Sequence, residues 1–416
     1  MAKHVIIGCG PAALSAVEAI RKISENDEIR LITKEDHLPY SPSVLPYLLA
    51  GRVADSDIWL KDDNYFNDKN IEYLPKREVV NILPATKEII YSNNSRDAYE
   101  QLLIATGAKP VIPTIKGLDN TNCFFFHTME HYLSLKKRLK HESVIAIYGA
   151  GLVAIELVIA LMERGLSVIW IMRSRVLRKY VTEQISLLIA DTFSNQGAKL
   201  HIGSEIKEIQ KINHQLTLSL TNGEEVVADT LVIAAGVEAN IDMLKKSPIK
   251  TNKGVIVDRE MMSNVPNIYA AGDVAEAPSS LDDEMYVNPI LPNALEQGKI
   301  AGANMAGRQA HYRGSISMNI IRFFGNSLIS IGSSTMANSR YQVFEERKDE
   351  LKQYKRFAYD DDKLVGTMLF NTQIDPGVLK YLIENKLSII SKEEFNKNTN
   401  MISHQLMLKN ERQSNS

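Results

Sequence analysis

The sequence is poor in cysteine: of its 416 residues only two, Cys9 and Cys123, carry a thiol. Two cysteines exclude a disulfide framework and a metal site built from cysteine pairs, and such low usage is typical of a reducing cytoplasm. The chain also lacks an excess of either charge, because 48 basic residues face 50 acidic ones and leave a net charge of −2. We therefore expect a cytoplasmic protein with no bound metal and no affinity for nucleic acid or an anionic membrane.

A targeting segment and a membrane span are also missing. The chain begins MAKHVIIG, so a strand follows Met1 almost directly and leaves no room for a signal peptide. One apolar run, VIAIYGAGLVAIELVIALM from Val144 to Met162, approaches the length of a span. Glu156 in its interior and two glycines in its first half favour a strand, a turn and a buried helix instead. We expect no membrane span.

What the sequence does contain is the same short pattern twice. VIIGCGPAAL (5–14) and IYGAGLVAIEL (147–157) each place a strand, a glycine turn and an apolar helix in succession. The first glycine permits the tight turn, the second lets a pyrophosphate approach the backbone, and a small third residue lets helix and strand pack closely. The helix start adds free N–H groups and partial positive charge. Each pattern therefore predicts a dinucleotide site.

The residues of the two turns are assigned to these sites. The first site receives Gly8, Gly10, Pro11, Ala12 and Ala13, and the second receives Gly149, Gly151, Leu152, Val153 and Ala154. An acid about twenty residues after such a turn accepts hydrogen bonds from ribose hydroxyls, and Glu35 stands there after the first turn.

The second turn has no such acid. The strand SVIWIM leads instead into Arg173, Arg175 and Arg178. Guanidinium groups suit the additional 2′-phosphate of NADP through charge-assisted bonds. A solvated basic start to a surface helix is the alternative interpretation. We expect NADPH rather than NADH at this site.

Both blocks continue through a small antiparallel section to a strand that ends in small residues. These strand ends are QLLIATGAKP (101–110) and TLVIAAGVEAN (230–240). The loop residues assigned to the first site are Ala105, Thr106 and Gly107, and those assigned to the second are Ala235 and Gly236. The later run NIYAAGDVAEAP has no counterpart in the second block, so we expect it to return to the first domain. From Tyr312 onward, alternating strands precede the helix PGVLKYLIENK, which is typical of an α+β domain.

The order of these motifs resembles that of the FAD-dependent pyridine nucleotide–disulfide oxidoreductase superfamily. The motifs that carry the resemblance are GCGPAAL, LLIATGAKP, YGAGLVAIEL, LVIAAGVEAN and VPNIYAAGDVAEA. A sixth, NPILPNALEQGKIAGANMAG (288–307), resembles the helix after the flavin site in reductases of the nitrite reductase and rubredoxin reductase type. The resemblance implies FAD at the first site, with Gly272 and Asp273 beside its ribityl or pyrophosphate part. It also implies that the helix that begins near Ala294 points at the flavin ring. In the second turn, Ala154 is similar to the alanine that NADPH-using glutathione reductases carry at the third turn position.

The fold predicted on these grounds is α/β, with two Rossmann-like domains of the glutathione reductase type and a C-terminal α+β domain. The FAD-binding domain is expected to be discontinuous, 1–112 and 246–318. The NAD(P)-binding domain, 113–245, is inserted in it, and 319–416 forms the third domain. In the superfamily this last domain serves in dimerisation or partner contact, so a homodimer is expected.

The segment PYSPSVLPYLLAG (39–51) departs from the superfamily. Ser43 stands where coenzyme A disulfide reductases carry a cysteine, and a hydroxyl cannot take up the thiolate or sulfenate states of a redox thiol. Pro42 and Tyr47 stand where ferredoxin-reductase relatives have an arginine and a lysine, so a lysine cannot pair with Glu156. Tyr47 and Glu156 are retained as candidate alignment residues, with helix capping as the alternative role of Glu156.

Without a redox cysteine, electrons must leave the flavin directly. We expect hydride transfer from NAD(P)H to flavin N5, followed by transfer to a ferredoxin- or rubredoxin-type protein or to a partner subunit of a larger oxidoreductase. One alternative is an NAD(P)H oxidase or diaphorase that uses oxygen or quinone, and another is a regulatory protein that binds flavin and nucleotide without turnover. No catalytic base is assigned, because the cofactors carry the chemistry.

Overall fold

A computed structural model of the chain describes residues 2–118, 123–140, 143–281, 284–333 and 340–414. The chain folds as two compact units. Unit 1 comprises Met1–Ile171 and Ser204–Gly314, and unit 2 comprises Met172–Gly203 and Ser315–Ser416. Residues 172–203, which the sequence placed in the second nucleotide-binding domain, thus group with the C-terminal part. The three domain boundaries drawn from the sequence remain a prediction.

The elements follow one another in a regular order. The first part of the chain contains β1 (Lys3–Ile7), α1 (Pro11–Arg21), β2 (Glu28–Ile32), α2 (Leu45–Leu49), α3 (Asp63–Asp68), β3 (Ile71–Leu74), β4 (Val79–Leu83), β5 (Glu88–Tyr91), β6 (Arg96–Ala98), β7 (Gln101–Ile104) and β8 (Ala108–Pro110). The second part contains β9 (Cys123–Phe125), α4 (Met129–Arg138), β10 (Val144–Tyr148), α5 (Leu152–Glu163), β11 (Ser167–Met172), α6 (Glu183–Asn195), β12 (Lys199–Ile202), β13 (Ile206–Ile212), β14 (Gln215–Leu220), β15 (Glu225–Ala228), β16 (Thr230–Ile233) and β17 (Val237–Ala239).

The remaining elements lie after the second block. They are β18 (Val255–Ile256), β19 (Ile268–Ala270), β20 (Ala275–Pro278), β21 (Met285–Tyr286), α7 (Leu291–Met305), β22 (Met318–Phe323), β23 (Asn326–Gly332), β24 (Gln342–Lys348), β25 (Gln353–Asp360), β26 (Lys363–Phe370), α8 (Pro376–Glu384), α9 (Lys392–Lys397) and α10 (Thr399–Ser414).

The first large sheet of unit 1 is parallel, with the strand order β19-β7-β1-β2-β3. Strand β1 is central because its run of apolar residues is buried on both faces, as parallel strands require. Strand β19 belongs to the run NIYAAGDV, and Ile268 pairs with Leu102 of β7. The chain therefore returns to this sheet after the whole second block, as the sequence predicts.

The second sheet of unit 1 repeats this plan, with β11, β10, β16 and β9 in parallel order. Each sheet is accompanied by a three-stranded antiparallel sheet, β4-β5-β6 in the first block and β13-β14-β15 in the second. Strand β9 occupies the place that β19 has in the first sheet. It overlaps the phenylalanine run at 124–126, which the sequence indicated only as core material between the domains.

The apolar run at 144–162 forms β10, a glycine turn and α5, as expected. Among the residues that the structure describes, no helix combines the length and the apolar character that crossing a membrane requires.

Unit 2 has an α+β fold. Its five-stranded sheet has the order β22-β23-β26-β25-β24, with antiparallel neighbours throughout. Strands β25 and β26 form a hairpin whose turn holds Asp361 at φ 52°, in the carboxyl-rich run that the sequence placed in a turn. Helix α9 closes over the sheet, with the ring of Phe395 5.6 Å from that of Phe357. Strand β22 and helices α9 and α10 were not predicted.

Candidate dinucleotide sites

The first glycine turn joins β1 to α1 and is closed by the loop after β7. Gly8 has φ +112°, and a Cβ on it would overlap the carbonyl oxygen of Ala105. Its N–H donates to the carbonyl of Ile32 on the neighbouring strand, 2.8 Å away. The turn and the loop thus touch backbone to backbone, and only glycine fits this place.

Gly10 lies at the start of α1, and, unlike Gly8, it has no other atoms close to its Cβ position. A Cβ on Gly10 would meet nothing within 4 Å. Pro11 opens the helix, and no side chain of the described residues caps it. The first N–H groups of the helix therefore have no side-chain partner among the described residues. Such a cradle fits a pyrophosphate, which those N–H groups and the helix dipole would stabilise.

The second turn, between β10 and α5, has the same geometry. Gly149 has φ +142°, and a Cβ on it would overlap the carbonyl oxygen of Ala234. Its N–H donates to the carbonyl of Ile171, 3.0 Å away. Gly151 opens α5 with nothing within 4 Å of a Cβ and with no capping side chain among the described residues. The two predicted turns therefore share one geometry, which we call a glycine cradle: a first glycine with positive φ against a neighbouring carbonyl and a second glycine with free space around its Cβ position.

The loops that close the two turns are joined to each other. Thr106 Oγ1 donates to the carbonyl of Asn240 at 2.8 Å, and the N–H of Asn240 donates to the carbonyl of Gly107 at 2.9 Å. The strands that follow, β8 and β17, pair antiparallel, with Ala108 opposite Ala239. The two-stranded sheet of β8 and β17 thus holds the Ala105–Gly107 loop against the residues that follow Ala235 and Gly236. The two candidate sites therefore belong to one connected framework.

Helix α7 packs along α1 at very short range. A Cβ on Gly298 would overlap the carbonyl oxygen of Ala12, and a Cβ on Gly302 would overlap that of Ala16. The helix begins at Leu291, so Ala294 lies in its first turn rather than at its opening. No side chain of the described residues caps this start.

Gly272 and Asp273 lie beside the first turns of these two helices. The N–H of Gly272 donates to Gln297 Oε1 at 2.9 Å, and a Cβ on Gly272 would lie 3.1 Å from Ala12 Cβ and 3.7 Å from Ala294 Cβ. Burial raises the pKa of Asp273 to about 6. The polar part of a dinucleotide can supply hydrogen bonds to a carboxyl group that is desolvated in this way.

Glu35 is held in place by a residue that the sequence did not single out. Tyr40 Oη donates to Glu35 Oε2 at 2.8 Å and accepts the N–H of Met129, also at 2.8 Å. Burial and the negative charge of Glu35 raise the pKa of Tyr40 well above its usual range. Glu35 also acts electrostatically on Cys9, inside the first turn. The acid therefore stands near that turn, oriented by a neutral phenol.

The two thiols are free and protonated at neutral pH. Burial raises the pKa of Cys9 to about 12 and that of Cys123 to about 11. Neither can act as a thiolate at pH 7. Ser43 lies in an exposed turn of 3₁₀ type, where its Oγ is 2.8 Å from Ser41 Oγ. Among the described residues, no three histidine, cysteine or carboxylate side chains are grouped to hold a metal ion.

The three arginines after β11 have different surroundings. Arg175 Nη1 donates to the carbonyl of Val181 at 2.7 Å, which gives this side chain a role in its own loop. Arg173 and Arg178 are exposed. The N–H of Gly8 bonds to the carbonyl of Ile32, and the N–H of Gly149 bonds in the same way to the carbonyl of Ile171. Glu35 is three residues after Ile32, and the residue three after Ile171 is Ser174. The second block therefore has no acid at the position that corresponds to Glu35.

The candidate alignment residues lie at a contact between α2 and α5. Glu156 is partly buried on α5, and burial raises its pKa to about 7 while the positive charge of Arg52 acts in the opposite direction. Tyr47 is 42% exposed, and the guanidinium of Arg52 lies 5.8 Å from its ring centre. Sequence reasoning missed Arg52, because nothing in its local pattern distinguishes it from a surface arginine.

The sheets, the turns and the motif order together define a class of flavin- and nicotinamide-dependent reductases. Residues 2–310 match the model of the pyridine nucleotide-disulphide oxidoreductase family, and residues 318–387 match that of the rubredoxin NAD+ reductase C-terminal domain. The chain belongs to the pyridine nucleotide-disulphide oxidoreductase family. It is an NAD(P)H-dependent oxidoreductase with FAD as its cofactor, and the resemblance found in the sequence is confirmed.

Two relatives match along nearly their whole length. The NADH-dependent phenylglyoxylate dehydrogenase subunit epsilon of Aromatoleum evansii is 32% identical over 384 residues, which cover 92% of this chain and 91% of that protein. The NADH-rubredoxin oxidoreductase of Clostridium acetobutylicum is 26% identical over 380 residues, which cover 90% of this chain and 94% of that protein.

Two solved structures confirm the predicted fold class. A covalent putidaredoxin reductase–putidaredoxin complex has a TM-score of 0.85 at 19% identity and covers 93% of this chain and 94% of that chain. An engineered water-forming NADPH oxidase bound to NADPH has a TM-score of 0.86 at 22% identity, with both chains covered completely. At these identities the likeness concerns the fold alone.

Proposed function

We propose that this chain binds FAD at the first turn, accepts a hydride from NAD(P)H at the second, and delivers electrons to a protein. The acceptor is a rubredoxin- or ferredoxin-type protein or a partner subunit of a larger oxidoreductase. One observation carries the proposal: two open glycine cradles stand in one connected framework, and the position of a redox thiol holds Ser43. Burial raises the pKa of both cysteines, to about 12 for Cys9 and about 11 for Cys123, so neither offers a thiolate as an electron relay at pH 7.

The residues of the first site fit FAD. The N–H groups that open α1 above Gly10 would bind its pyrophosphate, and Glu35, oriented by Tyr40, would accept from ribose hydroxyls. The buried carboxyl group of Asp273 would form hydrogen bonds with the polar part of the dinucleotide. The N-terminal end of α7, which no described side chain caps, would favour negative charge on the flavin ring. When bound, FAD supplies the isoalloxazine ring that accepts the hydride and releases electrons.

The residues of the second site favour NADPH. By count along the chain, Arg173 and Ser174 correspond to Lys34 and Glu35 of the first block, so the sequence offers a cation and no acid for the ribose end of the nucleotide. Arg178 is exposed and available as a second cation, whereas Arg175 is engaged with its own loop.

Two relatives support a protein as the acceptor. One is a subunit of an NADH-dependent dehydrogenase and the other an NADH-rubredoxin oxidoreductase, and their matches cover 92% and 90% of this chain. The C-terminal domain matched to the rubredoxin reductase family is the part we expect to serve in dimerisation or partner contact. We further propose a homodimer in the cytoplasm, the compartment that fits the low cysteine usage.

Anaerobic stopped-flow absorption tests the proposal. NADPH should bleach the visible flavin band of the FAD-loaded protein, and a rubredoxin or ferredoxin should then restore that band much faster than air does. Fast restoration by oxygen or a quinone alone would identify an oxidase or diaphorase. A flavin band that NADPH and NADH both leave unchanged would identify a regulatory protein and contradict the proposal.

A further inference from the structure

The arginines after β11 lie in one loop, residues 173–181, which we call the arginine loop. Side chains from the same stretch of chain fasten its backbone. Nη1 of Arg175 donates to the carbonyl of Val181 at 2.7 Å, and the hydroxyl of Ser186 donates to the carbonyl of Val176 at 2.8 Å. The arginine loop is therefore held at two of its own carbonyl groups.

Leu177, at the centre of the arginine loop, has a backbone conformation that needs such support. Its φ of 50° lies in the left-handed region, where residues other than glycine are uncommon. Its side chain is buried, and its carbonyl accepts the N–H groups of Tyr180 and Val181 at 2.7 and 3.0 Å. A conformation of this kind persists only where the surrounding structure holds it. The loop therefore follows one fixed backbone course.

The C-terminal sheet supplies a further contact to this loop. Ser330 on β23 is 3% exposed, and its hydroxyl donates to the carbonyl of Tyr180 at 3.0 Å. On the neighbouring strand β26, the sulfur of Met368 lies 3.9 Å from Oγ1 of Thr182. Ser330 and Met368 are directly opposite each other in the ladder, so the two contacts lie side by side on the sheet.

Helix α6, which follows the arginine loop, packs on the same sheet. The buried ring of Phe193 stacks on that of Phe323 at 5.4 Å and meets that of Phe324 edge to face at 5.3 Å. Phe323 ends β22, and Phe324 lies in the turn to β23. The sheet thus holds the arginine loop directly and through the next helix, and the loop groups with unit 2.

Arg178 differs from the anchored backbone around it. It follows Leu177 directly and is exposed, with no hydrogen-bond or ion-pair partner in the part of the chain that the structure describes. A side chain on a fixed backbone has less conformational freedom to lose when it binds a ligand. An unpaired guanidinium on an anchored loop is therefore preorganised to bind an anion.

We propose that Ser330 is a positioning residue, which holds the carbonyl of Tyr180 and thereby sets the place of Arg178. On this account the C-terminal sheet determines how strongly the chain prefers NADPH to NADH. This inference rests on the proposed function, which assigns the arginines after β11 to the ribose end of NADPH. Without the Ser330 hydroxyl the loop leaves its anchored course for part of the time, and a nucleotide with a 2′-phosphate loses affinity accordingly.

Flavin bleaching at a series of nucleotide concentrations separates this role from a purely structural one. In Ser330→Ala the apparent Kd for NADPH should rise about three- to tenfold, which is the effect of losing one hydrogen bond. The apparent Kd for NADH and the limiting rates with both nucleotides should not change. Arg178→Gln should also raise the Kd for NADPH, and Ser330→Ala should then add little, because both changes act on one interaction.

Hydrogen exchange measured by mass spectrometry reports on the anchor without turnover. In Ser330→Ala, peptides from the arginine loop should exchange faster than in the wild type, whereas peptides from β10 and α5 should not. Ser403→Ala is the matched control, since it removes a buried serine hydroxyl that donates to the carbonyl of Asn400 at 3.0 Å in the same unit. It should change neither the exchange of the loop nor the Kd for either nucleotide.

The possible failures can be told apart. An unchanged Kd for NADPH in Ser330→Ala, alongside a raised one in Arg178→Gln, would overturn this inference alone. Equal losses for NADPH and NADH in Ser330→Ala would show general support of the site and would also overturn it. Equal Kd values for the two nucleotides in the wild type would contradict the proposed preference for NADPH, and the inference with it. If Ser330→Ala does not retain FAD, Ser330→Cys, which offers only a weak donor, gives the same test.

Discussion

Replacing Gly10 by alanine should remove FAD while leaving the protein folded. Gly10 has φ −80° and ψ −172°, which alanine adopts without strain, and a Cβ there meets nothing within 4 Å. The apoprotein should therefore be as stable as wild type or more stable by about 0.4–1 kcal/mol. The added methyl group would occupy the space in which we place the pyrophosphate.

The loss of affinity can be estimated from the helix start. Displacing the pyrophosphate forfeits about two hydrogen bonds from N–H groups to a charged acceptor, each worth about 1.5–3 kcal/mol. A loss of about 3 kcal/mol or more raises the Kd for FAD by more than about 100-fold. Flavin fluorescence titration of the apoprotein measures this Kd, and urea denaturation of the same sample measures its stability.

Two matched variants complete the experiment. Gly8→Ala should unfold or destabilise the protein by about 2–5 kcal/mol, since it combines strain at φ +112° with overlap on Ala105. Gly151→Ala should retain FAD and lose NADP+ affinity. Wild-type affinity for FAD in Gly10→Ala would refute the reasoning, because the open space above α1 would then not be where the dinucleotide binds.

Three further outcomes are expected. Arg173→Glu combined with Arg178→Glu should abolish the preference for NADPH over NADH in kcat/KM, and an unchanged preference would identify these arginines as a solvated surface. Tyr40→Phe should lower the free energy of unfolding by about 1–3 kcal/mol in urea, because the N–H of Met129 loses its acceptor and Glu35 its donor. At pH 8 iodoacetamide should alkylate Cys9 in the folded protein far more slowly than a free thiol, since burial raises its pKa to about 12; rapid alkylation would contradict the assigned protonation state.

The glycine turns could be predicted because their requirements are local. Strand, turn and helix lie within about ten residues, and the φ values of Gly8 and Gly149 follow from the tight turn itself. The return of the chain to the first sheet at β19 could also be predicted, because the second block already had its own closing strand. Strand β9 could not, since a three-residue edge strand gives no periodic pattern.

The side-chain contacts around the sites depend on residues far apart in the chain. Tyr40 meets the backbone of Met129, 89 residues away, and Arg52 meets Glu163, 111 residues away. Such pairs follow from how the two blocks pack, and no local pattern records them.

An anaerobic reductive titration tests the central claim most directly, which is that the flavin works without a redox thiol. The FAD-loaded protein is titrated with a two-electron reductant while the visible flavin band is followed. The account predicts that one equivalent per FAD completes the bleaching, with no long-wavelength band from a thiolate beside the ring. A requirement for two equivalents, or the appearance of that band, would reveal a second redox centre in the chain and contradict the account.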